Sequence, residues 1–351
     1  MPDILGSESL ENLMKMRLCF IHPLAWLFDE ANAKACSALV NTANAFRILK
    51  EDHKMKGWFK DRVVEAVQFP LEEEFDKAYD VLADSYTALA EIRAVGYLRK
   101  CGFEVTPQSK GTKGFDFRAK LKDLEIAVEV SAMRMSKEEM RKWLTEKGER
   151  TIYPAGSPKE GEFSVDNVAH RFVQKAEEED KQLPENMPSL LWLDLQFRDW
   201  WTLGIDEALP LYVLNRGRFR TGGLWLGFYG RKGTPLLDSE SLLEGLPASA
   251  RGIKHPTLRY PGYFMKESRK ASAVIVALPD FTIILENPYP QNLLPRMVLA
   301  KLICVQRFDW PHSWVRPFWE EDSQAVKKFQ SKVRRALRMI ISVSRHARFE
   351  W

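Results

Sequence analysis

The segment GFEVTPQSKGTKGFDFRAKLKDLEIAVEVS, residues 102–131, determines the predicted fold of this chain. Within it, Phe115–Leu121 and Leu124–Ala132 alternate apolar and polar side chains, which is the period-two pattern of half-buried β-strands. A turn at Lys122–Asp123 separates them, so the two runs predict an antiparallel hairpin. A shorter strand is predicted just before the hairpin, over Phe103–Pro107.

Polar side chains concentrate on one face of this hairpin. Asp116, Arg118 and Lys120 share a face of its first strand, while Glu129 and Ser131 share a face of its second. Because residues of matching parity point to the same side of an antiparallel pair, we expect Asp116 and Glu129 to converge. Two carboxylates without a cation repel each other, which raises a pKa. A hard divalent ion such as Mg²⁺, typically held by one or two carboxylates, relieves that repulsion and can activate water against a phosphodiester.

Helical patterns flank the hairpin on both sides. Apolar residues recur at helical spacing in Phe75–Lys100, which carries Glu91 and ends just before Gly102, a residue suited to a left-handed cap. Downstream, Asp166–Leu183 is predicted as a helix and Leu190–Phe197 as an apolar strand. The remaining predictions are a charged helix over Ser136–Gly148 and strands over Gly223–Tyr229 and Ser272–Leu278.

This order of elements, with Asp116 and Glu129 on the hairpin and Glu91 on the preceding helix, resembles the PD-(D/E)XK nuclease superfamily. The similarity spans about residues 80–300 of the chain. It implies an α/β protein with a restriction-endonuclease-like mixed β-sheet core flanked by helices. It also implies a metal-dependent endonuclease in which Asp116 and Glu129 bind Mg²⁺ or Mn²⁺ with help from Glu91. DNA is then the default substrate, by resemblance alone.

The sequence departs from that superfamily at one position. The lysine of the family's E-x-K motif is replaced by Ser131, which cannot neutralise charge in a transition state. In this superfamily the lysine can migrate to a neighbouring element, and the candidates are Arg118, Lys120, Lys113, Lys175 and Gln182. An arginine stabilises charge but does not act as a base, since it keeps its proton. The alternative is a chain that keeps the fold without catalysis and acts as a nucleic-acid-binding or scaffold protein.

The chain is predicted to comprise three parts: an α-helical N-terminal region (1–80), the nuclease-like core (81–312) and a basic C-terminal helix packed on the core (313–351). The last part holds nine basic and four acidic residues, a net charge of +5 against +4 for the whole chain. Apolar side chains line one side of Gln324–His346, so its basic side is expected to face outward. That side suits contact with phosphates, although an ordinary solvated helix face explains it equally well.

Composition narrows the class of protein. The chain has 351 residues, 45% hydrophobic and 28% charged, which is typical of a globular protein and not of a disordered one. The four cysteines are widely separated and the histidines lack H-E-x-x-H spacing, so neither a disulfide scaffold nor a zinc hydrolase is expected. No run approaches the ~18–20 apolar residues of a membrane-spanning helix. We therefore expect a cytoplasmic protein that binds nucleic acid and no membrane, with a homodimer as an open alternative to a monomer.

Overall fold

The computed structural model describes residues 22–27, 32–68, 75–108, 114–134, 137–138, 141, 165–197, 203, 212–214, 218–220, 223–229, 262–265, 269–303 and 313–317. Nine β-strands are present in these residues. They are β1 (Glu104–Pro107), β2 (Phe117–Leu121), β3 (Leu124–Ala132), β4 (Ser189–Asp194), β5 (Tyr212–Leu214), β6 (Arg218–Arg220), β7 (Ala273–Ala277), β8 (Phe281–Glu286) and β9 (Ser313–Pro317).

Seven of these strands form one mixed sheet in the order β1-β2-β3-β4-β7-β8-β9, and β5 pairs with β6 in a separate ribbon. The central pairs β3–β4 and β4–β7 are parallel, while the four outer pairs of the large sheet are antiparallel. Strand β4 is buried along its whole length, as expected for a strand with parallel neighbours and covered faces.

The described helices lie before and between the strands along the chain. They are α1 (Pro23–Trp26), α2 (Ala33–Glu51), α3 (Lys56–Ala66), α4 (Phe75–Lys100), α5 (Val165–Asp180), α6 (Gly223–Tyr229) and α7 (Arg296–Ile303), with a 3₁₀ turn at Tyr263–Met265. Two ends have clear local causes. The Asn32 side chain caps α2 by accepting a hydrogen bond from the Lys34 amide at 2.9 Å. Gly102, with φ of 89°, ends α4 in the left-handed conformation predicted from its position.

Two apolar clusters cover the two faces of the large sheet. Val128 and Val130 of β3 belong to the first cluster, together with side chains of α1 to α4 and α7. Leu191 and Leu193 of β4 have the opposite parity and belong to the second, together with α5, α6 and the 3₁₀ turn. The described chain is thus three-layered, with a sheet between two helical layers.

A fully buried ion pair links the first helical layer, which contains α1 to α4 and α7, to the sheet. Arg93 of α4 donates from Nε to Asp194 Oδ2 at 3.0 Å and from Nη2 to Asp194 Oδ1 at 2.9 Å. Its Nη1 donates to Thr42 Oγ1 of α2 at 3.2 Å. Both charged side chains have no exposed surface. The two helices and the end of β4 are therefore joined by charge as well as by apolar contact.

Most elements predicted around the hairpin are present within one or two residues of their predicted bounds, and the α/β class with a mixed sheet flanked by helices is confirmed. One prediction is wrong: Gly223–Tyr229 is a helix and not a strand. Its sequence, GLWLGFY, is apolar without either period, because the helix is buried by α5 and the 3₁₀ turn. The boundary predicted at residue 80 falls inside α4, whose side chains share one core with the sheet.

Other predictions lie outside the described residues. These are the basic helix over Gln324–His346, nearly all of the charged helix over Ser136–Gly148, and Lys113. Among the helices that the structure does describe, none has the length and apolar character needed to cross a bilayer.

Candidate active site

Asp116 and Glu129 lie next to each other at the open end of the β2–β3 hairpin. The register pairs Phe117 with Val128, so Asp116, one residue before β2, stands opposite Glu129. Asp116 Oδ2 accepts a hydrogen bond from the Val130 amide at 2.8 Å, and the Asp116 backbone in turn bonds to the Glu129 carboxyl group. The hairpin thus brings the two predicted carboxylates together.

Glu179, near the end of α5, adds a third carboxylate to this pair. Its Oε1 accepts from the Ser131 hydroxyl at 3.0 Å and lies 2.5 Å from Lys175 Nζ. Its Oε2 accepts from Gln182 Nε2 at 2.7 Å. Glu129 and Ser131 both point toward α5, because they alternate with the valines that face the other layer. Helix α5 therefore covers the face of β3 that carries the candidate site.

Burial and like charge raise both hairpin pKa values. Burial raises the pKa of Asp116 to about 6, with Glu179 adding to the rise and the Val130 amide and Arg62 opposing it. Burial also raises the pKa of Glu129 to about 10, helped by Asp116 and by the charge and hydrogen bond of Glu179. Burial and like charge therefore favour the protonated form of Glu129 at neutral pH.

One carboxyl oxygen of Glu129 is buried without a hydrogen-bond partner. This oxygen is Oε2, and the residue as a whole is only 3% exposed. A buried carboxylate oxygen normally has a donor or a cation, since leaving it bare costs free energy. Asp116 and Glu129 offer the paired hard oxygens that Mg²⁺ and Mn²⁺ take. Within the described part of the chain, no cluster of three or more His, Cys, Asp or Glu side chains is arranged to hold a metal ion, so the ion would depend on two protein carboxylates and water.

Glu91 lies on the other side of the sheet. It belongs to α4, which packs on the face opposite the Glu129 side chain, and its Oε2 lies 3.4 Å from Arg62 Nη1. Arg62, on α3, also pairs with Glu65 at 2.8 Å, and its charge reaches Asp116. The structure therefore links Glu91 to the site through Arg62 and does not place it with Asp116 and Glu129 as the sequence led us to expect.

Arg118 and Lys120 do not join the carboxylate cluster either. Arg118 is exposed and pairs with Glu125, with 3.4 Å between Nη1 and Oε2. Lys120 is also exposed and stands between Glu104 of β1 and Glu125 of β3. It lies four residues from Asp116 along an extended strand, about 13 Å away. Of the described candidates for the missing lysine, the structure brings Lys175 and Gln182 to the site, both through Glu179.

Sequence reasoning missed Glu179 and Arg62. A signal existed for Glu179: it lies four residues after Lys175 and three before Gln182, on the helix face that those two residues mark. No local pattern distinguishes Arg62, because its contact with the site depends on how α3 packs. Comparison of the chain with protein-family models, curated proteins and solved structures found no match in any of the three. The function must therefore be inferred from the site itself.

Proposed function

We propose that this protein is a nuclease-like enzyme that hydrolyses phosphodiester bonds with the help of Mg²⁺ or Mn²⁺. The proposal depends on one observation: Asp116 and Glu129 lie side by side on the hairpin, and Glu129 has a buried oxygen without a hydrogen-bond partner. A divalent cation would satisfy that oxygen and offset the repulsion among the three acidic groups. DNA is the substrate that we propose, on the strength of the PD-(D/E)XK resemblance.

The arrangement of elements supports this proposal at a second level. The order α4-β1-β2-β3-α5-β4, with an antiparallel hairpin leading into a parallel pair, is the order that a restriction-endonuclease-like core requires. The acidic pair lies on the hairpin of that core, and α5 covers it. We infer a PD-(D/E)XK-type nuclease core from this combination.

Each residue of the site has a defined part in the proposed reaction. Asp116 and Glu129 would hold the metal ion, and Glu129 must first release the proton that its raised pKa retains. When bound, the ion polarises the phosphodiester and lowers the pKa of a water molecule. Lys175 contributes the positive charge that the strand lysine provides elsewhere. Ser131 leaves room for that charge and fixes Glu179 by a hydrogen bond.

The direct test combines cleavage with metal binding. Purified protein is incubated with plasmid and single-stranded DNA in Mg²⁺ or Mn²⁺, and Mn²⁺ binding is measured by calorimetry. Asp116→Asn and Glu129→Gln should abolish both cleavage and Mn²⁺ binding. Glu125→Gln is the matched control, because Glu125 is an exposed glutamate on the same strand. Cleavage that survives Asp116→Asn would identify a contaminating nuclease and contradict the proposal.

One observation favours a second candidate function. Ser131 stands where the family has the strand lysine, and Lys175, the lysine that the described residues bring to the site, forms an ion pair with Glu179. If that ion pair never opens, Lys175 cannot assist cleavage, and the protein would keep the fold and bind nucleic acid without cutting it. DNA binding by wild-type protein, with no cleavage in either metal, would select this non-catalytic function.

A further inference from the structure

The Glu179 side chain contacts two different elements at once. On α5 it meets Lys175, with 2.5 Å between Nζ and Oε1, and just beyond the helix it accepts from Gln182. On β3 it accepts from the Ser131 hydroxyl. Glu179 Oε1 therefore contacts both Lys175 of the helix and Ser131 of the strand, and Glu179 Oε2 contacts Gln182.

This contact differs from an ordinary pair on a helix surface. Exposed Lys–Glu pairs four residues apart contribute little to stability and do not fix either side chain. Here the Glu179 side chain is 10% exposed, and it is anchored to the strand by Ser131. Glu178, one residue earlier, provides the contrast: it is half exposed, and its Oε2 lies 3.7 Å from Lys175 Nζ.

We propose that Glu179 is a positioning residue of the site, which holds the Lys175 ammonium group beside Ser131, where the strand lysine is missing. This inference rests on the proposed nuclease function. Ser131 is two residues after Glu129 on the same strand face, so an ammonium group held at Ser131 stands next to the metal-binding pair. The ammonium group is then provided by Lys175 of α5 and not by a lysine of β3, and Glu179 determines its position.

Transplanting the lysine tests this role. Lys175→Met should lower kcat at least 100-fold with little change in KM, and Ser131→Lys added to Lys175→Met should restore at least a tenth of the lost rate. Glu179→Gln should lower kcat at least 10-fold in the native background. In the Ser131→Lys/Lys175→Met background it should cost less than 3-fold, because the lysine no longer depends on Glu179. Glu178→Gln is the matched control and should change kcat less than 2-fold.

A second measurement needs neither metal nor activity. In EDTA, the urea midpoint of Lys175→Met/Glu179→Gln should fall clearly less than the sum of the two single shifts. The same cycle on Lys175 and Glu178 should be additive. If Ser131→Lys fails to fold, additivity in the Lys175–Glu179 cycle would overturn the inference, because it would show that Glu179 does not hold Lys175.

The outcomes separate the inference from the function on which it rests. Equal losses from Glu179→Gln in both backgrounds would show a merely structural role and overturn the inference. Full activity of Lys175→Met in a protein that cleaves DNA and binds Mn²⁺ would also overturn it, while leaving the nuclease proposal intact. A wild-type protein that neither cleaves nor binds Mn²⁺ would overturn the proposed function and this inference together.

Discussion

The ionisation of Glu129 affects both the candidate site and the stability of the fold. Its pKa is about 10 in the folded chain, mainly because of burial, against an ordinary value of 4.5. Between these two values the folded state binds more protons than the unfolded state, so stability falls as pH rises. Below pH 4.5 both states are protonated and this pH dependence disappears.

We therefore predict that Glu129→Gln stabilises the metal-free protein at alkaline pH. The gain in unfolding free energy should be small near pH 4 and grow with pH, at up to about 1.4 kcal/mol per pH unit. Urea unfolding in EDTA at several pH values measures it. Glu125→Gln, at an exposed position, should show no such trend. A wild-type protein that becomes more stable between pH 6 and pH 9 would contradict the assignment of a protonated Glu129.

For individual side chains, the sequence predicts pairs within the hairpin but not partners from distant parts of the chain. Asp116 and Glu129 were predictable, because a hairpin register follows from alternation over a few residues. The position of Glu91 and the contact of Arg62 with the site were not predictable, because both depend on how α3 and α4 pack, which no short-range pattern encodes. The long-range contacts of Glu179 with β3 belong to the same class.

Between elements, the packing of α2 against α4 depends on a single glycine. A Cβ added to Gly96 would lie 2.6 Å from the Cβ and 2.7 Å from the Cα of Ala45. Both distances are shorter than any van der Waals separation between carbon atoms. The two helix backbones can approach this closely only because position 96 carries no side chain.

We predict that Gly96→Ala destabilises the protein by about 1–3 kcal/mol, although alanine is the better helix former. Adding Ala45→Gly should recover only part of the loss, since the backbone of residue 45 would still clash with the new methyl group. Gly57→Ala on α3 is the matched control: a Cβ there meets nothing within 4 Å, so stability should rise by up to about 1 kcal/mol. Thermal or urea unfolding followed by circular dichroism measures all three, and a neutral Gly96→Ala would refute the close approach.

Whether an element could be predicted from the sequence depends on whether one of its faces is exposed. Strands β2 and β3 have one buried and one polar face in their first residues, and their alternation identifies them. Helix α6 is buried on all described sides, so its apolar run has no period and was mistaken for a strand. Periodicity is informative only where an element has an exposed face.

The Arg93–Asp194 pair connects the first helical layer to the sheet. We predict that Arg93→Met or Asp194→Asn alone costs about 3–5 kcal/mol, because each leaves its partner with a buried, unpaired group. Arg93→Met combined with Asp194→Leu should cost much less than the sum. Arg118→Ala, which breaks an exposed pair, should cost less than about 1 kcal/mol. Hydrogen exchange should show the single variants loosening α2 and α4 together, and loosening of one helix alone would contradict a shared anchor.

Stabilisation of the protein by a bound metal ion should depend on pH in the opposite sense to stabilisation by the Glu129 proton. A divalent cation at Asp116 and Glu129 competes with that proton, so its stabilising effect should increase with pH. We predict that a fixed concentration of Mn²⁺ raises the melting temperature more at pH 8 than at pH 6, and that Glu129→Gln abolishes the rise at both. Glu125→Gln should behave as wild type, because it leaves the carboxylate pair intact. Since the described helices and sheet share continuous cores, the shift should appear equally in far- and near-ultraviolet circular dichroism. A Mn²⁺ shift that is independent of pH, or that survives Glu129→Gln, would place the metal elsewhere on the protein.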